Sequence, residues 1–237
     1  MLRTNLSSQI SLNRVSPKYY KPQNAVEASE LTRMEKIHTD IFETMEEGCR
    51  RVAEQIAQTI LQKQREGQFC VIAIGAGTSL RPLYSELVRK HKEEKLSFRN
   101  VIVFNLYEYY PLVNEYSSIG QLRELFLNDV DIDKQNIFTP DGTIPQEAVL
   151  EHCRLYEQRI HTYGGIDIAL MGIGRLGNIA MNEPGSQLNS NTRIILSDST
   201  SRAEVAHNMG IDNVPPCSIT MGISTIMAAR KIYLLAW

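Results

Sequence analysis

The sequence predicts an α/β fold with a doubly wound, mostly parallel sheet and helices on both faces. Residues 69–74 form an unbroken apolar run of strand length, which is typical of a strand buried on both faces. Runs of this kind alternate with segments in which apolar residues recur at helical spacing. The segments between strands are too long for hairpins, which favours the crossover connections of a parallel sheet.

The first helix is predicted where apolar residues recur at helical spacing from 41 to 61, with Thr39 and Asp40 available as caps. A break at Gly67 separates this helix from the strand at 69–74. The later elements are predicted as a helix at 80–92, a strand at 101–104, helices at 118–127 and 146–163, and strands at 166–171, 192–196 and 231–236.

The two ends of the chain differ from this alternating pattern. Residues 1–38 begin with a mostly polar stretch and are predicted to form an N-terminal arm, whereas residues 39–237 are predicted to form one domain. The last strand reads as buried, yet no helix follows to cover it. The sequence therefore leaves open a truncation at the C-terminus, with a native chain that continues past Trp237.

Composition excludes several classes of function. The 237 residues include 25 basic and 27 acidic side chains, and these are scattered, so the chain has no field that would hold nucleic acid. The four cysteines lie far apart and form no zinc or redox motif. No apolar run approaches the roughly 18 residues that a membrane span needs. We expect a cytoplasmic protein without a metal, a cofactor, or a membrane partner.

Three loops follow predicted strands, and ligands of open parallel sheets bind at this edge. Residues 75–79 read Gly-Ala-Gly-Thr-Ser and lead from a strand into a helix. Glycines let main-chain N–H groups approach an anion, and the helix N-terminus favours negative charge, so a phosphate fits this turn. A tight turn with a hydroxyl cap would show the same residues, and the pattern alone does not separate the two interpretations.

The other two loops are the segment 104–110 and the segment 171–185. Three tyrosines beside Glu108 can stack on a sugar, although this loop taken alone is better explained by packing over the end of the sheet. The second segment holds three closely spaced glycines followed by Asn-Glu-Pro-Gly, which is too specialised for a simple turn and favours a binding site.

Together these segments resemble the glucosamine-6-phosphate deaminase family. The strongest markers are Ser-Phe-Arg-Asn-Val at 97–101 leading into Phe104 and Asn105, the 172–184 loop, and Thr-Met-Gly-Ile-Ser-Thr at 220–225. The resemblance implies a deaminase/phosphogluconolactonase-like fold and a hydrolase or isomerase that releases ammonia from an amino-sugar phosphate and yields fructose 6-phosphate. It also implies a sugar phosphate bound by Gly77, Thr78 and Ser79.

The resemblance is weaker at the catalytic positions. The family's Asn-x-Asp-Glu-Tyr pattern has Tyr107 in place of the Asp that moves a proton between C2 and C1, and a phenol with a pKa of about 10 is a poor base. Leu176 and Asn178 stand at the positions of the family's second Asp and its His, and neither titrates. Glu183 matches the carboxylate that tunes this His, and Glu108 matches the acidic neighbour of the missing Asp.

The resemblance also names binding positions. Gly174 and Gly177 belong to the glycine-rich substrate loop, and His207 lies near the position of a phosphate-binding arginine. A phosphate-binding lysine would lie beyond Trp237. Ser186 and Arg193 match a candidate allosteric phosphate site, in which Ile195 replaces a lysine.

Three functions remain open at this point. The first is a deaminase in which Glu108 or Glu183 replaces the missing base, with Glu108 preferred because neighbouring tyrosines can raise its pKa. The second is a sugar-phosphate binding or regulatory domain that has lost catalysis. The third is a related lactonase or isomerase for another sugar phosphate. The family resemblance is compatible with a homo-oligomer in each case.

Overall fold

A computed structural model of the chain describes residues 24–26, 39–112, 116–209 and 214–237, the last two positions of the 116–209 range by backbone only. The described residues from Cys49 to Trp237 belong to one compact unit, and those before Cys49 are grouped separately. The predicted arm at 1–38 lies outside the described residues except for 24–26, so the proposed boundary stays a prediction.

The helices are α1 (Met45–Arg65), α2 (Arg81–Glu94), α3 (Ser118–Leu125), α4 (Val149–Thr162), α5 (Ser199–Met209) and α6 (Ile223–Met227). The strands are β1 (Cys70–Ile74), β2 (Val101–Asn105), β3 (Tyr107–Tyr110), β4 (Ile137–Phe138), β5 (Ile168–Gly172), β6 (Arg193–Leu196), β7 (Cys217–Thr220) and β8 (Lys231–Leu235).

The central sheet has five strands in the order β4-β2-β1-β5-β8, and every neighbouring pair in it is parallel. All five residues of β1 are buried, as its unbroken apolar sequence predicts for a strand with both faces covered. Helix α2 contributes Leu83, Tyr84 and Leu87 to the core at the i, i+1, i+4 spacing of a buried helical face. The α/β fold with a mostly parallel central sheet is confirmed.

A second sheet corrects two predictions. Strands β3, β7 and β6 form a three-stranded antiparallel sheet, in the order β3-β7-β6. Residues 107–110, which were predicted to lie in a loop, form strand β3. The strand at 193–196 lies in this second sheet and does not join the parallel sheet through a crossover. Both errors have one cause: short strands with mixed side chains pair according to tertiary context more than intrinsic propensity.

The last strand is also less buried than predicted. Strand β8 lies at the edge of the central sheet, and Leu235 is its one buried residue. Ile232 and Leu234 are 37% and 48% exposed. An apolar run alone does not distinguish a central strand from an edge strand.

An ion cluster holds β5 against β1 at the end opposite their C-termini. Asp167 is buried and accepts a hydrogen bond of 2.9 Å from the Val71 main-chain N–H. Its other oxygen lies 3.0 Å from Lys63 Nζ and 3.1 Å from Arg230 Nη1. Two cations and one main-chain donor thus compensate the buried carboxylate.

Among the described residues, no helix is long and apolar enough to cross a membrane.

Candidate functional site

A cavity of about 160 Å³ lies at the C-terminal ends of β1 and β5, where the topology of an open parallel sheet places ligands. Residues 75–81 form one wall, and Tyr107, Tyr109 and Gln121 form another. The end of β5 and the glycine-rich segment after it contribute residues from 171 to 181. Helix α5 closes the remaining side with Ser201, Glu204 and Val205.

The turn at Gly77, Thr78 and Ser79 opens a short 3₁₀ helix that runs into α2. Among the described residues, the main-chain N–H groups of these three residues donate no hydrogen bond. Side chains instead bind two main-chain carbonyl groups of the 75–79 segment. Tyr84 donates to Gly75 O at 2.6 Å, and Trp237 Nε1 donates to Ser79 O at 2.7 Å. The turn is thus fixed through its acceptors, and its donors remain available to an anion.

Tyr107 projects from β3 into the cavity, beside Tyr109, with the two rings 5.9 Å apart and nearly edge-on. The side chains of Ser118 and Tyr109 lie near its hydroxyl group. Burial raises the pKa of Tyr107, so the phenol stays protonated at neutral pH. Tyr107 can bind a sugar hydroxyl, but it does not provide a base.

Glu108 points away from Tyr107, because successive side chains of a strand face opposite sides. It is buried, lies outside the cavity lining, and accepts main-chain hydrogen bonds from Tyr109 (3.0 Å), Ser118 (2.6 Å) and Ile119 (3.1 Å). Burial raises the pKa of Glu108, and the three N–H donors oppose this rise. The carboxylate anchors the N-terminus of α3, and this position does not favour its use as the base.

The glycine-rich segment forms a narrow hairpin, with Ile173 and Ile179 bridged. Gly174 N–H donates to Asn178 O and Gly177 N–H donates to Gly174 O, each at 2.9 Å. Gly177 has φ +84°, a conformation that favours glycine. Gly174 lines the cavity, whereas Gly177 lies outside its lining.

Of Leu176 and Asn178, only Asn178 reaches the cavity. Leu176 sits at the hairpin tip, 41% exposed and outside the lining. Asn178 Nδ2 donates to Ala180 O at 3.3 Å. Its Oδ1 is buried and has no hydrogen-bond partner among the described residues. Asn178 can therefore contact a ligand as an amide, without exchanging a proton.

Glu183 supports α5 instead of lining the cavity. Its carboxylate accepts hydrogen bonds from the Asp198 main-chain N–H and from Ser201 Oγ, both at 3.2 Å. Asp198 in turn accepts from Thr200 N–H at 2.7 Å, in the manner of a helix cap. These contacts hold the first turn of α5 in place. The helix in turn positions Ser201 and Glu204 at the cavity.

Two charged residues of the cavity were missed by sequence reasoning. Arg81, in the first turn of α2, and Glu204, on α5, both line the cavity. The side chain of neither residue makes a hydrogen bond or an ion pair with any described residue. Arg81 follows the Gly-Thr-Ser turn by two positions and could have been found from that spacing. Glu204 could not, since α5 has no clear apolar stripe and was not predicted.

The remaining candidates lie elsewhere. His207 is exposed and outside the cavity lining. Ser186 and Arg193 do meet: Arg193 Nη2 donates to Ser186 Oγ at 3.2 Å, and Nη1 donates to Asn182 Oδ1 at 2.8 Å. Burial lowers the pKa of Arg193. Within the described part of the chain, no three His, Cys, Asp or Glu side chains are grouped to hold a metal ion.

Comparison with known proteins gives the family context. A family model described as glucosamine-6-phosphate isomerases/6-phosphogluconolactonase matches residues 43–237. A Bacteroides thetaiotaomicron glucosamine-6-phosphate deaminase-like protein is 63% identical over 239 residues, covering 100% of this chain and 36% of that protein. The chain thus spans about a third of this relative. The glucosamine-6-phosphate deaminase of Bacillus velezensis is 37% identical over 194 residues, covering 81% of this chain and 78% of the enzyme.

Solved structures agree with the fold. A monomeric glucosamine-6-phosphate deaminase superposes with a TM-score of 0.76 at 33% identity, covering 81% of this chain and 79% of that one. The 6-phosphogluconolactonase of Trypanosoma brucei superposes with a TM-score of 0.62 at 19% identity, over 82% of this chain and 80% of that one, which shows a shared fold alone. The family description and the names of these relatives use the words isomerase and deaminase. They do not support the hydrolase activity that the sequence suggested.

Proposed function

Because the chain belongs to the family of glucosamine-6-phosphate isomerases and 6-phosphogluconolactonases, we propose that its cavity binds a phosphorylated sugar and acts on it as an amino-sugar phosphate deaminase. Glucosamine 6-phosphate or a close relative is the proposed substrate. The observation that carries the proposal is the turn at Gly77, Thr78 and Ser79 in the cavity wall, whose main-chain N–H groups have no hydrogen-bond partner in the described part of the chain.

Charge supports this assignment. Arg81 lies in the same wall as the turn and has no ion-pair partner among the described residues. A phosphate held by main-chain N–H groups at a helix N-terminus gains further stabilisation from a guanidinium beside it, since charge-assisted hydrogen bonds are about twice as strong as neutral ones. Tyr107 and Tyr109 provide the flat surface and hydroxyl groups suited to a sugar.

Turnover can be tested directly. The protein is incubated with glucosamine 6-phosphate, and ammonia and fructose 6-phosphate are measured separately, each expected to rise in equal amounts. Ser79→Ala is the matched variant, because it removes one proposed phosphate donor and leaves the main chain intact. Wild-type protein that neither binds nor converts glucosamine 6-phosphate would exclude both the enzyme and the binding function.

A second function is favoured by one specific observation. The two carboxylates proposed as replacement bases, Glu108 and Glu183, both hold main-chain N–H groups and lie outside the cavity lining. A sugar-phosphate binding or regulatory domain without catalysis fits this arrangement. It predicts that glucosamine 6-phosphate raises the melting temperature while no ammonia forms, since a ligand that binds only the folded state stabilises it.

A further inference from the structure

Glu204 is the one carboxylate among the described residues that line the cavity, and Arg81 is the one guanidinium. The two groups do not pair with each other, and neither pairs with another described residue. Opposite charges that line one cavity without pairing are complementary to a ligand that itself carries both charges.

The positions of the two groups place a positive charge in one part of the cavity and a negative charge in another. Arg81 follows the Gly77–Ser79 turn and marks the wall where the phosphate is proposed to bind. Glu204 reaches the cavity from α5, an element that contributes nothing to that turn. A ligand whose phosphate lies on the turn would therefore present its other substituents to Tyr107, Asn178 and Glu204.

The support for α5 suggests that this placement of Glu204 is built into the fold. Glu183 accepts hydrogen bonds from Asp198 N–H and Ser201 Oγ, so the first turn of α5 is tied to the glycine-rich segment. Glu204 follows Ser201 by three residues and so lies on the same face of the helix. The half-buried carboxylate is thereby directed toward the cavity while Glu183 itself is used for support.

We propose that Glu204 is a specificity-determining residue that binds the ammonium group of an amino-sugar phosphate and so selects it over the corresponding hydroxyl sugar. This inference rests on the proposed sugar-phosphate function of the cavity. An ammonium group donates a hydrogen bond to the carboxylate and also forms an ion pair with it, whereas a hydroxyl group in the same place donates the hydrogen bond alone.

The test uses two ligands that cannot be turned over. 2-Amino-2-deoxyglucitol 6-phosphate and glucitol 6-phosphate differ only in amine and hydroxyl, and both lack the carbonyl group that isomerisation requires. Their Kd values are measured by isothermal titration calorimetry for the wild type, Glu204→Gln and Glu147→Gln. Glu147 is an exposed carboxylate outside the cavity lining, so its variant is the matched control.

We expect the wild type and Glu147→Gln to bind the amine ligand about tenfold more tightly than the hydroxyl ligand, which corresponds to about 1.4 kcal/mol. In Glu204→Gln this preference should fall to within about twofold, with the Kd of the hydroxyl ligand almost unchanged. The preference of the wild type should also weaken at high salt, because the pair is only partly buried.

Each outcome separates the two proposals. Equal wild-type affinity for both ligands would overturn the role of Glu204 and leave sugar-phosphate binding standing. Wild-type protein that binds neither ligand would overturn the proposed function itself. If Glu204→Gln keeps the amine preference but loses turnover of glucosamine 6-phosphate, the carboxylate acts in chemistry and its proposed part in recognition is wrong. Thermal unfolding of Glu204→Gln is measured as well, to check that the variant is folded.

Discussion

Substitution of Gly172 by alanine tests how the glycine-rich segment is coupled to the turn at Gly77, Thr78 and Ser79, where phosphate binding is proposed. Gly172 ends β5 and lines the cavity. A Cβ atom at this position would overlap Ser79 Oγ, but it would lie 3.5 Å from Ser79 Cβ and 3.6 Å from Leu235 O, which are ordinary contacts. The main chain can therefore stay in place, and the Ser79 hydroxyl group must rotate away.

The expected effect on stability is small. Rotation of the serine to another staggered rotamer costs at most about 1 kcal/mol, and replacing glycine by alanine restricts the unfolded chain and returns about 0.4–1 kcal/mol. The expected effect on binding is larger. A hydrogen bond to a charged group contributes about 1.5–3 kcal/mol, so removing the Ser79 hydroxyl from a phosphate weakens binding roughly 10- to 100-fold.

A double-mutant cycle measures this coupling. The Kd of glucitol 6-phosphate is determined by calorimetry for the wild type, Gly172→Ala, Ser79→Ala and the double variant. Each single variant should weaken binding by a similar factor, and the double variant should be no weaker than Ser79→Ala, because the methyl group then has no hydroxyl to displace. Additive losses, or full affinity in Gly172→Ala, would refute the proposed role of the Ser79 hydroxyl.

Three further predictions concern the fold. Glu108→Gln should lower the free energy of unfolding by about 1–3 kcal/mol in urea titrations, since an amide places a donor among three main-chain N–H donors. Burial raises the pKa of Cys70 to about 12 and of Cys153 to about 11, so at pH 8 a thiol reagent should label Cys217 first and all four cysteines only in denaturant. Burial lowers the pKa of His152, whose Nε2 accepts a hydrogen bond from the Asp141 main-chain N–H. The stabilising contribution of the neutral ring is present above about pH 6.5 and is lost as the pH falls. The free energy of unfolding of His152→Gln should therefore change less between pH 7 and pH 5 than that of the wild type.

The central sheet could be predicted because its strands carry the signal themselves. Strands β1 and β5 are continuous apolar runs, and in the structure they are neighbouring parallel strands. Helix α5 could not be predicted in this way. Its sequence has no apolar stripe, and its first turn is held by Glu183, 18 residues before Ser201 in the chain. An element stabilised by distant polar contacts leaves no local periodicity to read.

The turn at 77–79 carries a sequence signal for a related reason: the phosphate binding proposed for it depends on main-chain groups, which glycine and the start of a helix already specify. The direction of a side chain depends on strand register instead. Strand β3 pairs antiparallel with β7, with Tyr107 opposite Thr220 and Glu108 opposite Ile219. The sequence alone does not reveal this register, and so it could not show whether Tyr107 or Glu108 faces the cavity.

This register limits which carboxylates can contact a ligand in the cavity. Adjacent strand residues face opposite sides, so Glu108 could replace a base at the Tyr107 position only if β3 shifted by one residue, which would turn every side chain of the strand over. Three main-chain hydrogen bonds to Glu108 and the pairing with β7 oppose such a shift. Any carboxylate that meets the ligand must therefore come from outside β3, and among the described residues that line the cavity Glu204 alone meets this condition.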